Sequence, residues 1–380
     1  MKILIAIDSM KGSLTSLQAG EAAASGIRCV IPDAQITVFP AADGGEGTTA
    51  ALVSGLNGRY RTVSVTDPLG RPVTACYGIL PEGTAVIEMA AASGLSMLHE
   101  SERNPLYTTS YGFGEMIADA VRQNCRSLLL AIGGSATNDG GVGCLQALGF
   151  SFTDDAGAEV CRGAAGLAAI RRIDRSRVMP ELADCIIRIA CDVQNPLCGI
   201  NGSSMVFGPQ KGANAELAVE MDEAMRRYAE VTKAYLPDAN PDFPGAGAAG
   251  GMGFALHTYL GACLEPGISL VMQQTGITDA MREADLVITG EGRLDAQTVM
   301  GKVPVGIAEA AKRYGKPVIA LCGVTGEGVR LCNSRGIDAY FPILHTICSA
   351  EEAMRLDTAE RNLADTAEQV FRLIQAVQGL

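Results

Sequence analysis

One arrangement recurs five times along this chain: a short hydrophobic run that ends abruptly in glycine and small polar residues. In the clearest copy, residues 128–132 lead into GGSATND at 133–139. A strand that breaks into glycines lets backbone N–H groups approach an anion without interference from Cβ atoms. The segment therefore indicates a phosphate-handling loop, with a tight structural turn as the alternative.

The other four copies have the same form. They are residues 2–7 with DSMKGS at 8–13, 36–39 with ADGGEGT at 42–48, 186–190 with CDVQN at 191–195, and 286–289 with GEGRLD at 290–295. In open α/β sheets, ligands collect beyond the carboxyl ends of the strands. Five such strand exits therefore predict one or more converging clefts, in an enzyme that acts on a small, charged, phosphorylated molecule.

The composition limits the fold class. A chain of 380 residues is long enough for two or three domains, because a single core rarely grows past roughly 250–300 residues. Aromatic residues make up only 5% and there is no Trp, whereas glycine occurs 45 times. Small residues of this kind favour tight packing of helices on a sheet over an all-β sandwich.

The charge and the cysteines exclude several kinds of partner. The formal net charge of −12 disfavours nucleic acid and anionic membranes. The 12 cysteines contain no CxxC pair, so neither a zinc site nor a disulfide scaffold is expected. We find no signal-peptide pattern and no apolar run long enough to span a membrane, so we predict a cytoplasmic protein with a small-molecule substrate. The oligomeric state is left open, a homo-oligomer included.

The order of elements predicts two domains. Strand, helix, strand and helix alternate over residues 2–56, which indicates a parallel, Rossmann-like sheet. After Gly58, closely spaced runs at 60–66, 73–80 and 85–89 read as hairpins, which do not belong inside such a sheet. The strand–loop–helix pattern returns near residue 284, with a helix expected over 298–314. We therefore predict a discontinuous first domain, 1–64 plus 284–380, and an inserted mixed-sheet domain, 65–283.

A glycine-rich segment, DANPDFPGAGAAGGMG at 238–253, interrupts the predicted second domain. It is compatible with a linker, with a glycine hinge, or with a loop that approaches a ligand. The segment runs straight into a helix of small residues instead of a new domain, which favours the last two interpretations.

Six blocks then identify a family. They are DSMKGSL at 8–14, ADGGEGT at 42–48, IGGSATNDGG at 132–141, CDVQNPLCG at 191–199, GPQKGA at 208–213 and GEGRLDAQTVMGK at 290–302. In these blocks and their order the chain closely resembles the type I glycerate kinases, a bacterial family that phosphorylates glycerate with ATP. The resemblance covers nearly the whole chain. One departure is Met10, where the family more often carries Phe, and this exchange of apolar residues is conservative.

The resemblance implies a flavodoxin-like domain and a second domain with a restriction-endonuclease-like α/β fold, with the active site in the cleft between them. It also implies Mg²⁺-dependent transfer of the γ-phosphoryl group of ATP to D-glycerate. The product would typically be 2-phosphoglycerate, with 3-phosphoglycerate as the alternative.

Phosphoryl transfer needs cations, a metal-binding carboxylate and a residue that orients the attacking hydroxyl. No GxxxxGK[ST] motif is present, so a P-loop is excluded. We predict Lys11 and Arg293 as the catalytic cations, because both lie in polar turns after strands. The guanidinium of an Arg can also bind both oxygens of a carboxylate. Asp192 is predicted to act like a base, and Asp295 with Glu291 to lie near the metal. An exchange of these acidic roles remains open.

The remaining candidate residues are assigned to binding. Asp43, Ser9 and Asn195 are predicted to bind substrate, with helix capping as the alternative for Asp43. Backbone N–H groups and small hydroxyls at strand exits and helix starts suit phosphate. The predicted ATP-binding residues are Gly133, Gly134, Ser135, Thr137, Asn138, Thr298 and Lys302.

Two other functions compete with the kinase. A nicotinamide-dependent hydroxy-acid dehydrogenase would carry GxGxxG directly after the first strand, which instead ends in DSMKGS. A non-enzymatic sugar-acid sensor that regulates transcription would need a DNA-binding module, which the net charge of −12 and the lack of a basic helix disfavour.

Overall fold

A computed structural model describes residues 1–378 and divides into two compact units. Unit 1 comprises Met1–Asp43, Ala50–Leu56 and the chain from Pro266 onward. Unit 2 comprises Gly44–Thr49 and Asn57–Glu265. Unit 1 is thus discontinuous in sequence.

The described residues form 13 strands and 14 α-helices. The strands are β1 (Lys2–Ile7), β2 (Gln35–Val38), β3 (Arg59–Thr66), β4 (Pro72–Ile79), β5 (Thr84–Glu88), β6 (Ser127–Ala131), β7 (Ser151–Thr153), β8 (Arg172–Asp174), β9 (Ile186–Ala190), β10 (Cys263–Glu265), β11 (Leu286–Leu294), β12 (Val318–Thr325) and β13 (Ala339–Pro342). The helices are α1 (Ser16–Val30), α2 (Thr48–Gly55), α3 (Ala90–Ser93), α4 (Tyr111–Arg122), α5 (Val142–Ala147), α6 (Ala164–Leu167), α7 (Ser203–Phe207), α8 (Ala215–Tyr235), α9 (Ala248–Leu260), α10 (Gly267–Thr275), α11 (Ile277–Glu283), α12 (Val303–Lys312), α13 (Ala350–Ala353) and α14 (Leu356–Gln378).

Unit 1 is built on a parallel sheet of five strands in the order β2-β1-β11-β12-β13. This is the 2-1-3-4-5 order of the flavodoxin-like fold. Side chains alternate across β1, as the period of two requires. Ile3 and Ile5 pack with α1 and α14 on one face, whereas Leu4 packs with α11 and α12 on the other. The predicted parallel-sheet domain is confirmed.

Helix α1 begins where its sequence indicates. Thr15 is the N-cap and forms a capping box with Gln18, since each side chain accepts a hydrogen bond from the other residue's backbone N–H. The helix then runs through small residues that let it approach α14 closely. A Cβ on Gly26 would lie 2.0 Å from the carbonyl oxygen of Ala364, so only glycine fits at this crossing.

Unit 2 contains a mixed sheet of six strands in the order β10-β9-β6-β5-β4-β3. Strands β3, β4 and β5 pair antiparallel, and β5, β6, β9 and β10 pair parallel. The hairpin signals after Gly58 correspond to β3–β5, which confirms the prediction of a second, mixed-sheet α/β domain. A separate antiparallel pair, β7 and β8, completes the strands.

Two details concern the helices that follow residue 266. Helices α10 and α11 lie in unit 1, because Ile268, Ile277 and Met281 are buried in the core against β1 and β11. From the sequence, these helices were placed in the inserted domain, with boundaries of 1–64 plus 284–380 for the first domain and 65–283 for the second. These boundaries stay a prediction. The helix expected over 298–314 begins only at Val303, because Gly301 has a φ of +104° and Pro304 follows.

Among residues 1–378, no helix has the length and apolar character that crossing a lipid bilayer requires.

Candidate functional site

A cavity of about 600 Å³ lies at the carboxyl ends of the unit 1 strands. It opens where the strand order reverses, between β1 and β11, which is the place where open α/β sheets bind ligands. Most of the charged residues of its lining come from the exit of β1 and the last residues of β11. They are Asp8, Lys11, Asp43, Glu291, Arg293 and Lys302, and Ser9, Ser13 and Ser349 also line it. Six of the residues selected from the sequence therefore share one cavity, and Asp8 joins them.

The exit of β1 is a tight turn that is held by backbone hydrogen bonds. The N–H of Asp8 donates to the carbonyl of Gly290 on β11, at 2.8 Å. Met10 and Leu14 then exchange backbone hydrogen bonds of 2.8 and 3.1 Å, with Gly12 at a φ of +76° between them. Lys11 lies exposed in this turn, so its ammonium group can reach an anion in the cavity.

Asp8 carries the most perturbed carboxyl group of the cavity. Its side chain is 9% exposed, and burial, followed by the negative charges of Asp43 and Glu291, raises the pKa of this carboxyl to about 7. The N–H of Ser9 donates to the carboxylate at 2.7 Å, which only partly offsets the cost of burial. No role for Asp8 was predicted from the sequence.

Glu291 is buried and bonded to a neighbouring hydroxyl. Thr298 Oγ1 donates to Glu291 Oε1 at 2.5 Å, and burial raises the pKa of Glu291. Thr298 is itself fully buried in the turn that precedes α12, whereas Lys302 is the N-cap residue of that helix and lines the cavity. The phosphate contact predicted for Thr298 stays a prediction.

Arg293 and Asp295 form an ion pair. Arg293 Nε lies 3.1 Å from Asp295 Oδ2, and the N–H of Gln297 donates to Asp295 Oδ1 at 2.8 Å. The side chain of Arg293 is 65% exposed, so the pair adds little stability. The exposed guanidinium can still contact a ligand.

The carboxylates fit a hard cation such as Mg²⁺. Among residues 1–378, no three His, Cys, Asp or Glu side chains form a metal-ligating group. Mg²⁺ in phosphoryl-transfer sites needs only one or two carboxylates together with substrate phosphates and water. The raised pKa values of Asp8 and Glu291 indicate buried negative charge that a cation would stabilise. Asp295 is already paired with Arg293. The metal role predicted for Asp295 and Glu291 stays a prediction.

In unit 2, the glycine loop follows β6 and is exposed at its start only. Gly133 and Gly134 are exposed, whereas Ser135, Thr137 and Asn138 are buried. Asn138 Nδ2 donates to Ser204 Oγ at 2.8 Å, and Ser203 Oγ donates to Asn138 Oδ1 at 3.1 Å. Within the described part of the chain, the buried hydroxyl of Thr137 has no hydrogen-bond partner. Contacts from all five residues to ATP stay a prediction.

The glycine-rich segment near residue 250 supports this loop from within unit 2. The N–H of Gly140 donates to the carbonyl of Gly250 at 2.9 Å. Gly250 has a φ of +74°, and a Cβ there would lie 2.0 Å from the carbonyl oxygen of Thr137. The segment is therefore part of the packing of unit 2, and the linker interpretation is wrong.

Asp139 is a second buried carboxylate behind the loop. It is 0% exposed and accepts hydrogen bonds from the N–H and the hydroxyl of Ser110, each at 2.8 Å, and from the N–H of Gly141 at 3.2 Å. These bonds join the loop to the start of α4. Burial nevertheless raises the pKa of Asp139.

Lys211, like Asp8, is a buried ionisable residue for which the sequence predicted no role. Its side chain is 1% exposed, and Nζ donates to the carbonyl of Thr137 at 2.6 Å and to Ser135 Oγ at 3.0 Å. Burial lowers its pKa to about 7, and the charge of Asp139 opposes this shift. The only signal in the sequence is its place in GPQKGA, since a lysine is otherwise expected at the surface.

We expect Lys211 to make stability depend on pH. Because its pKa is lower in the folded state than in the unfolded state, the folded protein binds fewer protons between about pH 7 and pH 10.5, and stability rises with pH across this window. Relative to Lys211→Met, the free energy of unfolding of the wild type should rise by about 2 kcal/mol from pH 7 to pH 9. Urea titrations at both pH values measure this free energy, and the control variant is the exposed Lys233→Met. The same change in the free energy of unfolding for the wild type and for Lys211→Met would contradict the prediction.

Asp192 and Asn195 lie in unit 2, after β9. Asp192 is exposed in the strand exit. Asn195 Nδ2 donates to the backbone carbonyl of Asn201 at 2.8 Å, and the backbone carbonyl of Asn195 accepts from the N–H of Gly247 at 2.9 Å. Asn195 therefore shapes the loop, and the substrate and base roles of the two residues stay predictions.

Charged side chains around a cavity at the switch point of a parallel sheet define an α/β enzyme of a small anionic substrate. Comparison with known proteins gives the family. The Glycerate kinase family model matches residues 3–375, and the chain belongs to this family.

Individual relatives agree over almost their full lengths. The chain is 47% identical to a protein of Escherichia coli (strain K12) named glycerate 2-kinase, covering 96% of this chain and 98% of the relative. It is 45% identical to a glycerate kinase of Halalkalibacterium halodurans, covering 95% and 97%. A crystal structure of a Salmonella typhimurium LT2 protein, assigned there as a glycerate kinase 2, matches with a TM-score of 0.91 at 46% identity over all of both chains.

Proposed function

We propose that this chain transfers the γ-phosphoryl group of ATP, bound with Mg²⁺, to D-glycerate and releases 2-phosphoglycerate and ADP. The observation that carries the proposal is the match along 96% of the chain to a relative named glycerate 2-kinase. The cavity in unit 1 supports it, because it offers cations for phosphate or carboxylate together with carboxylates for a metal ion.

The chemistry assigns a distinct task to each group. The glycerate hydroxyl oxygen attacks the γ-phosphorus, the bond from that phosphorus to the bridging oxygen breaks, and ADP leaves. We assign Asp192 as the group that accepts the proton of the glycerate hydroxyl. Lys11, Arg293 and Lys302 neutralise charge on the phosphates and on the glycerate carboxylate. The exposed N–H groups of the glycine loop after β6 donate to phosphate oxygens.

Mg²⁺ would supply charge neutralisation on the phosphates, and Glu291 and Asp8 are the carboxylates in unit 1 that suit it. Ser9 and Asp43 are assigned to the hydroxyls of the acid. In this assignment, Asp295 fixes the direction of Arg293 through their ion pair.

The deciding experiment identifies the product. Purified protein is incubated with ATP, Mg²⁺ and D-glycerate, and the phosphorylated acid is identified by ³¹P NMR. In parallel, enolase is added with or without phosphoglycerate mutase, and phosphoenolpyruvate is measured. We expect phosphoenolpyruvate without mutase, because enolase accepts only the 2-phospho acid.

Two results would change the proposal. Formation of phosphoenolpyruvate only in the presence of mutase would show that the product is 3-phosphoglycerate and would overturn the regiochemistry alone. ADP formation that does not depend on glycerate, or no product at all, would overturn the substrate assignment.

A further inference from the structure

The unit 1 cavity has two chemically different ends. Most of the charged groups come from the exit of β1 and the last residues of β11, in the middle of the sheet. The residues contributed by β12, by the exit of β13 and by the segment around α13 are mostly apolar. They include Val324, Ile343, Leu344, Ala350, Ala353 and Met354.

The apolar end is too far from the charged end to be part of a glycerate site. Neighbouring strands lie about 4.8 Å apart, so the exit of β13 is about 10 Å from that of β11. A three-carbon acid spans only about 5 Å, since its bonds are near 1.5 Å long. A cavity of about 600 Å³ is instead of the size that holds a ligand as large as a nucleotide.

Two methionines line this cavity. Met10, in the turn that carries Lys11, is 5% exposed, and Met354, at the end of α13, is 45% exposed. A Cβ built on Gly12 would lie 3.8 Å from Met354 Sδ, so the end of α13 packs over the Lys11 turn. Thioethers and aliphatic side chains pack favourably against the face or edge of an aromatic ring. An exposed methionine beside a cationic turn therefore suits a ligand with a flat ring at one end and negative charge at the other.

We propose that the apolar end of the unit 1 cavity binds the purine base of the phosphoryl donor, with the phosphates extending toward Lys11, Arg293 and Lys302. This inference rests on the proposed function, since it requires that the donor be a nucleoside triphosphate. It assigns the base to unit 1 and leaves to the glycine loop of unit 2 only contacts with phosphate.

The first test separates the base from the phosphates. Dissociation constants are measured by calorimetry for a non-hydrolysable ATP analogue and for inorganic tripolyphosphate, each with Mg²⁺ and without glycerate. Met354→Asn should weaken binding of the analogue about 10-fold while changing that of tripolyphosphate less than about 2-fold, because only the base loses an apolar contact. Met354→Leu should bind both like the wild type, and Lys11→Ala should weaken both.

The second test locates the base directly. An 8-azido analogue of ATP is photolysed on the wild-type protein, and the labelled tryptic peptide is identified. We expect the label on residues 336–355, a single tryptic peptide that holds the exit of β13 and all of α13. Protection by unlabelled ATP is the control for specific labelling.

The outcomes distinguish this inference from the function on which it rests. Label on residues 127–162, the tryptic peptide with the glycine loop, or equal weakening of both ligands by Met354→Asn, would overturn the base site and leave the kinase intact. Failure of the wild type to bind the analogue at all would overturn both.

Discussion

Replacing Lys11 by alanine is expected to lower the turnover of D-glycerate at least about 100-fold, because the side chain supplies positive charge where charge develops in the transition state. Lys11 lies exposed in the Met10–Leu14 turn, and its ammonium group lines the cavity with Asp8 and Asp43. Removing it leaves this acidic cluster facing the anionic substrates without one of its few cations. The measurement is kcat and KM for both substrates in the enolase-coupled assay.

The fold should survive this change, because the turn is held by backbone hydrogen bonds between Met10 and Leu14 and not by the lysine side chain. The matched control is Lys316→Ala, at the amino end of β12 and therefore at the opposite edge of the same sheet. It should leave kcat within about 2-fold of the wild type. Near-normal turnover by Lys11→Ala would remove Lys11 from the catalytic residues.

The architecture of unit 1 could be predicted because its signals are local. Each strand begins as a hydrophobic run, so the sequence alone indicates the end of β1. Strand β11 was predicted to end at Thr289 but continues to Leu294, because its polar residues still pair with β12. In a parallel sheet, exits of neighbouring strands meet at one edge, which brings Lys11, Glu291 and Arg293 into one cavity. No long-range information beyond the strand order was needed.

The buried charges could not be predicted, because burial is decided by distant parts of the chain. Lys211 lies 74 residues from Thr137, whose carbonyl it bonds. Asp139 is held by Ser110 on the preceding helix, and the glycine at 250 closes over the same loop. In the sequence, these residues look like an ordinary surface lysine, one acid in a polar loop, and a flexible glycine tract.

The apolar end of the cavity could not be predicted from the sequence either. Most of its residues come from the exit of β13 and from α13, and neither segment carries a glycine-rich polar motif. Motifs identify groups that react or bind charge. An apolar surface for an aromatic ring is made of the same residues as any core, and only the fold shows that it faces a cavity.

Replacing Asp192 by asparagine is expected to reduce kcat at least about 100-fold with little change in KM, because the amide keeps the size of the carboxylate but cannot accept the hydroxyl proton. Asp192 lies exposed after β9, so the substitution opens no cavity in the core. Thermal unfolding of the variant should match that of the wild type, which separates a chemical loss from a loss of structure.

The matched control is Asp184→Asn, an exposed aspartate just before the amino end of the same strand. If Asp192 accepts the proton, only its own substitution lowers kcat, and the loss remains when both substrates are saturating. A variant that keeps kcat but raises KM for glycerate would make Asp192 a binding residue instead. The next candidate for the base would then be Asp43, the carboxylate of unit 1 that is assigned to the hydroxyls of the acid and not to the metal.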